Sequence, residues 1–182
     1  MIQFNGEYAF LKEEITSYQP EVTRIHHMIH EKSGAGSDYL GWVDLPKNYD
    51  HQEFEKIKTL AASLKGRFDT LVVCGIGGSY LGTAAALDML RGVYPSTKPE
   101  VIFIGNTFSS NYMAQVLHHL ENRSIVLNVV SKSGTTTETA LAFRILREFM
   151  EKKYGKEECR WRIIATTDRH RGILKAMADK EG

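Results

Sequence analysis

Apolar and polar positions change their rhythm near residue 70. Beyond it, short runs rich in Val, Ile and Phe recur at Leu71–Val73, Val101–Ile104, Ser124–Val130 and Trp161–Ala165. Runs of that length without alternation read as strands covered on both faces. Between and after them, residues 79–92, 109–121, 136–154 and 170–180 carry apolar side chains at helical spacing. In 136–154, Leu141, Ile145 and Phe149 form the stripe expected to face a core. Strand and helix alternating in this way predict an α/β fold with a parallel sheet and right-handed connections, a three-layer α-β-α sandwich.

Before residue 70 the pattern is helical, over Glu7–Ser17, Glu21–Lys32 and Asp50–Lys65. Gln19-Pro20 separates the first two, and the loop Ser33–Asn48 holds Gly34, Gly36, Gly41 and Pro46. The expected organisation is therefore a helical N-terminal segment over 1–69 and an α/β domain over 70–182. Residues 178–182 end on Gly182, a helix-capping glycine that ordinarily introduces another strand. The domain is expected to be truncated at its C-terminal end.

Composition narrows the classes. Net charge is +1, from 23 Lys and Arg against 22 Asp and Glu, which offers no basic surplus for nucleic acid. No apolar run is long enough for a membrane span, and Met1–Glu7 lacks the basic and apolar regions of a signal peptide. A cytoplasmic protein is expected. Cys74 closes an apolar strand and reads as buried rather than nucleophilic; Cys159 lies in a charged stretch. His26 and His30 stand four apart, but without carboxylate or cysteine company no metal site is expected. His118 and His119 fit the dipole at a helix C-terminus, and Asp168 reads as the N-cap of the last helix.

Candidate chemistry gathers at two strand-to-helix junctions. The first, Cys74-Gly75-Ile76-Gly77-Gly78-Ser79-Tyr80-Leu81-Gly82, follows Leu71–Val73. Its glycine spacing is not that of a dinucleotide fingerprint, because Tyr80 stands where a third glycine is needed, and it has no Gly-Lys-Ser/Thr. Gly77 and Gly78 let backbone approach a ligand, with Ser79 as a hydroxyl donor; taken alone, this loop reads equally well as a helix cap. The second junction runs Ser131-Lys132-Ser133-Gly134-Thr135-Thr136-Thr137-Glu138-Thr139. Ser131, Ser133, Thr135, Thr136 and Thr137 put five hydroxyls within seven residues, more than capping requires. Thr135 and Glu138 fit a capping box, and Lys132 points either to an anion or to solvent. Unpaired N–H groups and the helix dipole make such junctions anion sites, here for a phosphorylated small molecule.

The pair of junctions resembles the bacterial-type glucose-6-phosphate isomerase family, also called phosphoglucose isomerase. The Ser-x-Ser-Gly-x-Thr core is shared with sugar isomerase (SIS) domains at large, whereas Gly-Ile-Gly-Gly-Ser-Tyr-Leu-Gly is far more specific. The similarity extends through the N-terminal helices and the Tyr39–Pro46 segment. It implies that Ser79, Ser131, Ser133 and Thr136 hydrogen-bond the substrate phosphate. It also implies support from Lys132 and Thr135, with Gly77 and Gly78 on the sugar side. The family interconverts glucose 6-phosphate and fructose 6-phosphate through an enediol without a cofactor, as a homodimer.

The family's catalytic glutamate, histidine, lysine and arginine belong to motifs beyond residue 182, so no catalytic residue is assigned here. The expectation is a segment that anchors substrate and shows no turnover alone. The alternative is a non-catalytic SIS-domain sugar-phosphate sensor. A nucleotide-dependent oxidoreductase is disfavoured by Tyr80 and by the lack of an acidic residue at Ile104–Asn106.

Overall fold

A computed structural model describes residues 3, 5–10, 12–92 and 98–182. Met1, Ile2 and Phe4, used in the signal-peptide reading, and Leu11, within the helix expected over 7–17, lie outside them. The chain divides into two units, Met1–Ala61 and Ala62–Gly182.

The first unit is helical, and its helices start and end at other residues than expected. The described residues of 7–14 form turns and bends, and Ile15–Tyr18 is a 3-10 turn leading directly into α1 (Gln19–Glu31). Pro20 therefore does not separate two helices. It lies in the first turn of α1, where its missing N–H costs nothing. The expected loop 33–48 contains a 3-10 turn at Ser37–Tyr39 and the short α2 (Gly41–Asp44). α3 (His51–Leu64) follows, with the Glu53 N–H donating to the Asp50 carboxylate at 2.9 Å.

The second unit holds β1 (Thr70–Cys74), α4 (Leu81–Arg91), β2 (Glu100–Ile104), α5 (Ser110–Leu120) and β3 (Ile125–Val130). After these come α6 (Thr137–Tyr154), α7 (Lys156–Arg162), β4 (Ile163–Thr166) and α8 (Ile173–Glu181). All strand pairs are parallel, in the order β2-β1-β3-β4. The α/β expectation holds. Right-handed crossovers run one way from β1 to β2 and the other way from β2 to β3, placing α4 opposite α5 and α6. The central strands β1 and β3 are almost wholly buried, while β2 and β4 at the edges are only half so.

The core gathers Val72, Cys74, Ile125, Leu127 and Val129 beneath Leu120 of α5 and Ala142, Leu146 and Met150 of α6. Burying each large aliphatic there contributes about 1.5–3 kcal/mol. Of the expected stripe only Phe149 packs against this core; Leu141 and Ile145 are 47% and 40% exposed. The helix is apolar around much of its circumference, so periodicity could not choose between two faces. Trp161 is a second correction. It starts no strand but belongs to α7, because Arg162 is drawn inward, stacking on Trp161 (4.1 Å) and Tyr154 (4.2 Å) and donating to Ile125 O at 2.9 Å. Cys159, in the same helix, is buried. Lys153 of α6 donates to the carbonyls of Leu120, Glu121 and Arg123 at 2.6–2.8 Å, closing the C-terminus of α5 with a cation.

Candidate functional site

Both junctions sit at C-terminal strand ends, and the sheet order makes them neighbours. β1 pairs with β3 in a register that sets Cys74 opposite Val129, so the two loops leave the sheet side by side. From β1 the chain turns toward β2, whereas from β3 it turns toward β4. The crevice between them is the topological switch point, where open α/β sheets bind ligands. A Cβ on Gly75 would stand 3.2 Å from Val130 O and 2.8 Å from Ser79 Cβ, so only glycine lets the first loop lie against the start of the second.

In the first loop Gly77–Ser79 forms a 3-10 turn, with Gly77 at φ +58° and the Ser79 N–H donating to Ile76 O at 3.2 Å. Gly78 is exposed and Ser79 half-buried. The Ser79 hydroxyl has no hydrogen-bond partner among the described residues. Tyr80 opens α4, and its hydroxyl accepts from Asn106 Nδ2 at 3.2 Å. Asn106 lies just beyond β2, outside both motifs; its position at a strand C-terminus is the only sequence signal it carries.

The second loop consumes part of its hydroxyl supply internally. Ser131 is 6% exposed, and its oxygen accepts from the Gly134 N–H at 3.0 Å while keeping its own proton to donate. Ser133 and Thr135 share a hydrogen between oxygens 2.6 Å apart, and the Thr135 N–H donates to Ser133 Oγ at 3.2 Å. Thr136 is the N-cap of α6, and its hydroxyl makes no cap hydrogen bond and has no partner among the described residues. The N-cap is therefore not Thr135, and the expected capping box of Thr135 with Glu138 does not form; Thr135 Oγ1 is shared with Ser133, and Glu138 is half-buried and unpaired among the described residues. Lys132 is exposed and likewise unpaired, and its carbonyl accepts from the Thr167 hydroxyl at 3.3 Å. The first N–H groups of α6 have no partner within the helix and face the loop.

What fixes the loop is α8. The Ile173 N–H donates to Ser133 O at 2.8 Å, and a Cβ on Gly134, at φ +78°, would lie 2.5 Å from Leu174 N. The helix begins at Ile173, later than expected, because Asp168 caps a turn instead, accepting from the N–H groups of His170 and Arg171 at 2.8 and 3.1 Å. A groove of about 460 Å³ between α6 and α8 borders Ser131 and Gly134 but reaches neither Ser79 nor Thr136. It backs the second loop and is separate from the crevice. Thr139 lines it with a buried hydroxyl that lacks a partner among the described residues.

Cys74 is buried at the end of β1, as expected. Burial pushes its thiol up to about 12, and Sγ contacts Thr139 O at 3.6 Å. Burial also raises Cys159. Neither thiol is expected to react with an aromatic disulfide reagent at pH 8 until the chain unfolds. Stoichiometric labelling of the native protein would contradict this burial. Among the described residues, no group of three or more His, Cys, Asp or Glu is arranged to hold a metal, and no helix is long and apolar enough to cross a membrane.

Comparison with known proteins adds a lineage to this geometry. The family model for phosphoglucose isomerase matches residues 52–181. Glucose-6-phosphate isomerases of Bacillus thuringiensis (strain Al Hakam) and Bacillus cereus (strain B4264) are each 51% identical over 188 aligned positions. The alignments cover 100% of this chain, which spans 41% of the length of those relatives. Among solved structures, a hypothetical protein from Thermus thermophilus superposes with TM-score 0.74 at 27% identity, over 92% of this chain and 38% of that one. A glucose-6-phosphate isomerase from Chlamydia trachomatis gives 0.55 at 31% identity, over 66% of this chain and 23% of that one.

Proposed function

The chain belongs to the phosphoglucose isomerase family, and from that premise we propose that it supplies the phosphate anchor of an aldose–ketose isomerase acting on glucose 6-phosphate and fructose 6-phosphate. One observation carries the reading. Two hydroxyl- and glycine-bearing loops leave neighbouring strands at the switch point of the sheet, with the Ser79 and Thr136 hydroxyls uncommitted among the described residues. The dianion is held by those hydroxyls, by the Ser131 and Ser133 side chains and by the first N–H groups of α6, with Lys132 and Thr135 in support. Gly77 and Gly78 line the sugar side.

The phosphate does not react. Its role is to turn binding energy into position, holding C1 and C2 of the open-chain sugar where acid and base groups act. Each charge-assisted hydrogen bond contributes ~1.5–3 kcal/mol, and the dipole of α6 adds about half a positive charge at the same place. The groups that move the proton are assigned to the part of the full-length relatives beyond this chain. The intact enzyme is read, on the family resemblance alone, as a cytoplasmic homodimer working without a cofactor.

An amide-resolved NMR titration tests the anchor. Fructose 6-phosphate and inorganic phosphate are expected to shift Ser79, Lys132, Thr136 and Thr137, and NAD to shift none of them. Shifts with NAD but not with sugar phosphate would overturn the reading. No turnover of fructose 6-phosphate by this chain alone is expected; conversion above a buffer control would place the acid–base groups inside it.

A further inference from the structure

We propose that Asn106, which belongs to neither motif, is a positioning residue for the first loop and acts through Tyr80. The sheet brings them together: Gly75 N donates to Ile104 O at 2.8 Å, so the exit of β2 is tied to the exit of β1. Asn106, two residues on, donates from Nδ2 to the Tyr80 hydroxyl at 3.2 Å across 26 positions of sequence. The Tyr80 ring also packs on Phe103, with centroids 5.5 Å apart, and the Phe103 carbonyl is itself held by the Tyr112 hydroxyl at 3.1 Å.

Tyr80 is the joint between the Ser79 turn and α4. Its N–H donates to Gly77 O at 3.1 Å, and its carbonyl accepts from the Ala84 N–H at 2.8 Å. Glycines before it leave the turn with little stiffness of its own. The side-chain anchor to β2 therefore sets where the Ser79 hydroxyl points. In this account a third strand end, besides β1 and β3, shapes the crevice. The inference rests on the phosphate reading for its purpose, though not for its geometry.

Three variants separate the possibilities, read by amide exchange, melting temperature and phosphate affinity. Asn106→Ala and Tyr80→Phe remove the hydrogen bond. Asn106→Asp restores it with the donor reversed, since the Tyr80 O–H can donate to a carboxylate. Amide exchange at Ser79 and Tyr80 is expected to quicken roughly three- to tenfold in the first two, the equivalent of one lost hydrogen bond, and to stay at the parent rate in Asn106→Asp. The melting temperature should fall by no more than about 2–4 °C in the first two. Affinity for inorganic phosphate is expected to fall by a similar factor in Asn106→Ala and Tyr80→Phe. Parent exchange rates in both variants would overturn the anchoring, and faster exchange with undiminished phosphate affinity would overturn its service to the site. Failure of the parent chain to bind phosphate would instead remove the functional reading, while exchange would still decide whether Asn106 holds the turn.

Discussion

Gly134→Ala is expected to lower stability by roughly 2–5 kcal/mol, the combined cost of a left-handed alanine and of overpacking. The new Cβ would stand 2.5 Å from Leu174 N and 2.9 Å from Leu174 Cβ, atoms on the first turn of α8 that no rotamer change can move. Either α8 retreats and the Ile173–Ser133 hydrogen bond breaks, or the second loop is pushed toward the crevice. Gly66 provides the control, because it shares the backbone geometry at φ +77° but has open space around a Cβ. Gly66→Ala should cost roughly 1–2 kcal/mol from backbone strain alone. Urea denaturation of the two variants isolates the clash. Equal losses would mean that α8 does not clamp the loop.

Ser79→Asp should reduce affinity for fructose 6-phosphate by about a hundredfold or more, which corresponds to ~2.7 kcal/mol. At ~4 Å and an effective dielectric near 20, like charges repel by about 4 kcal/mol, part of it lost to solvent screening. Stability should hardly change, since Ser79 is half-exposed and its hydroxyl bonds to nothing among the described residues. Ser79→Ala removes a donor without adding charge and should cost only about five- to tenfold. The ratio between the two substitutions is the informative quantity, and it should shrink as salt is added. Calorimetry giving the same Kd for Ser79→Asp as for the parent would remove the first loop from the phosphate site.

The sequence made the α/β alternation legible because buried central strands and amphipathic helices leave different periods, and both loops could be located from glycine and hydroxyl density. Strand order could not be read. Apolar runs reveal a strand without stating which neighbour a crossover returns to, and the placement of both loops at the switch point depends on that choice. The face of α6 was missed because two apolar stripes compete along it and only packing against Leu120 and Cys74 selects Ala142, Leu146 and Met150. Trp161 and Arg162 were read into the last strand because an apolar run does not mark where a preceding helix ends; two aromatic rings and a carbonyl hold Arg162 buried at the close of α7. The capping-box reading of Thr135 and Glu138 failed because the helix starts one residue later, with Thr136 as its N-cap, and sequence does not rank adjacent threonines as caps.

The pairing of β1 with β3 has a kinetic consequence. Thr70 meets Ile125 across 55 positions, whereas β1 reaches β2, from Thr70 to Glu100, across 30. The longer loop is the costlier one to close, so the crevice comes into being only when the central ladder is complete. A phosphate ligand then has nothing to grasp in a half-formed sheet. It should act almost wholly on the unfolding limb of a chevron, lengthening the lifetime of the native chain while leaving the rate of folding nearly untouched.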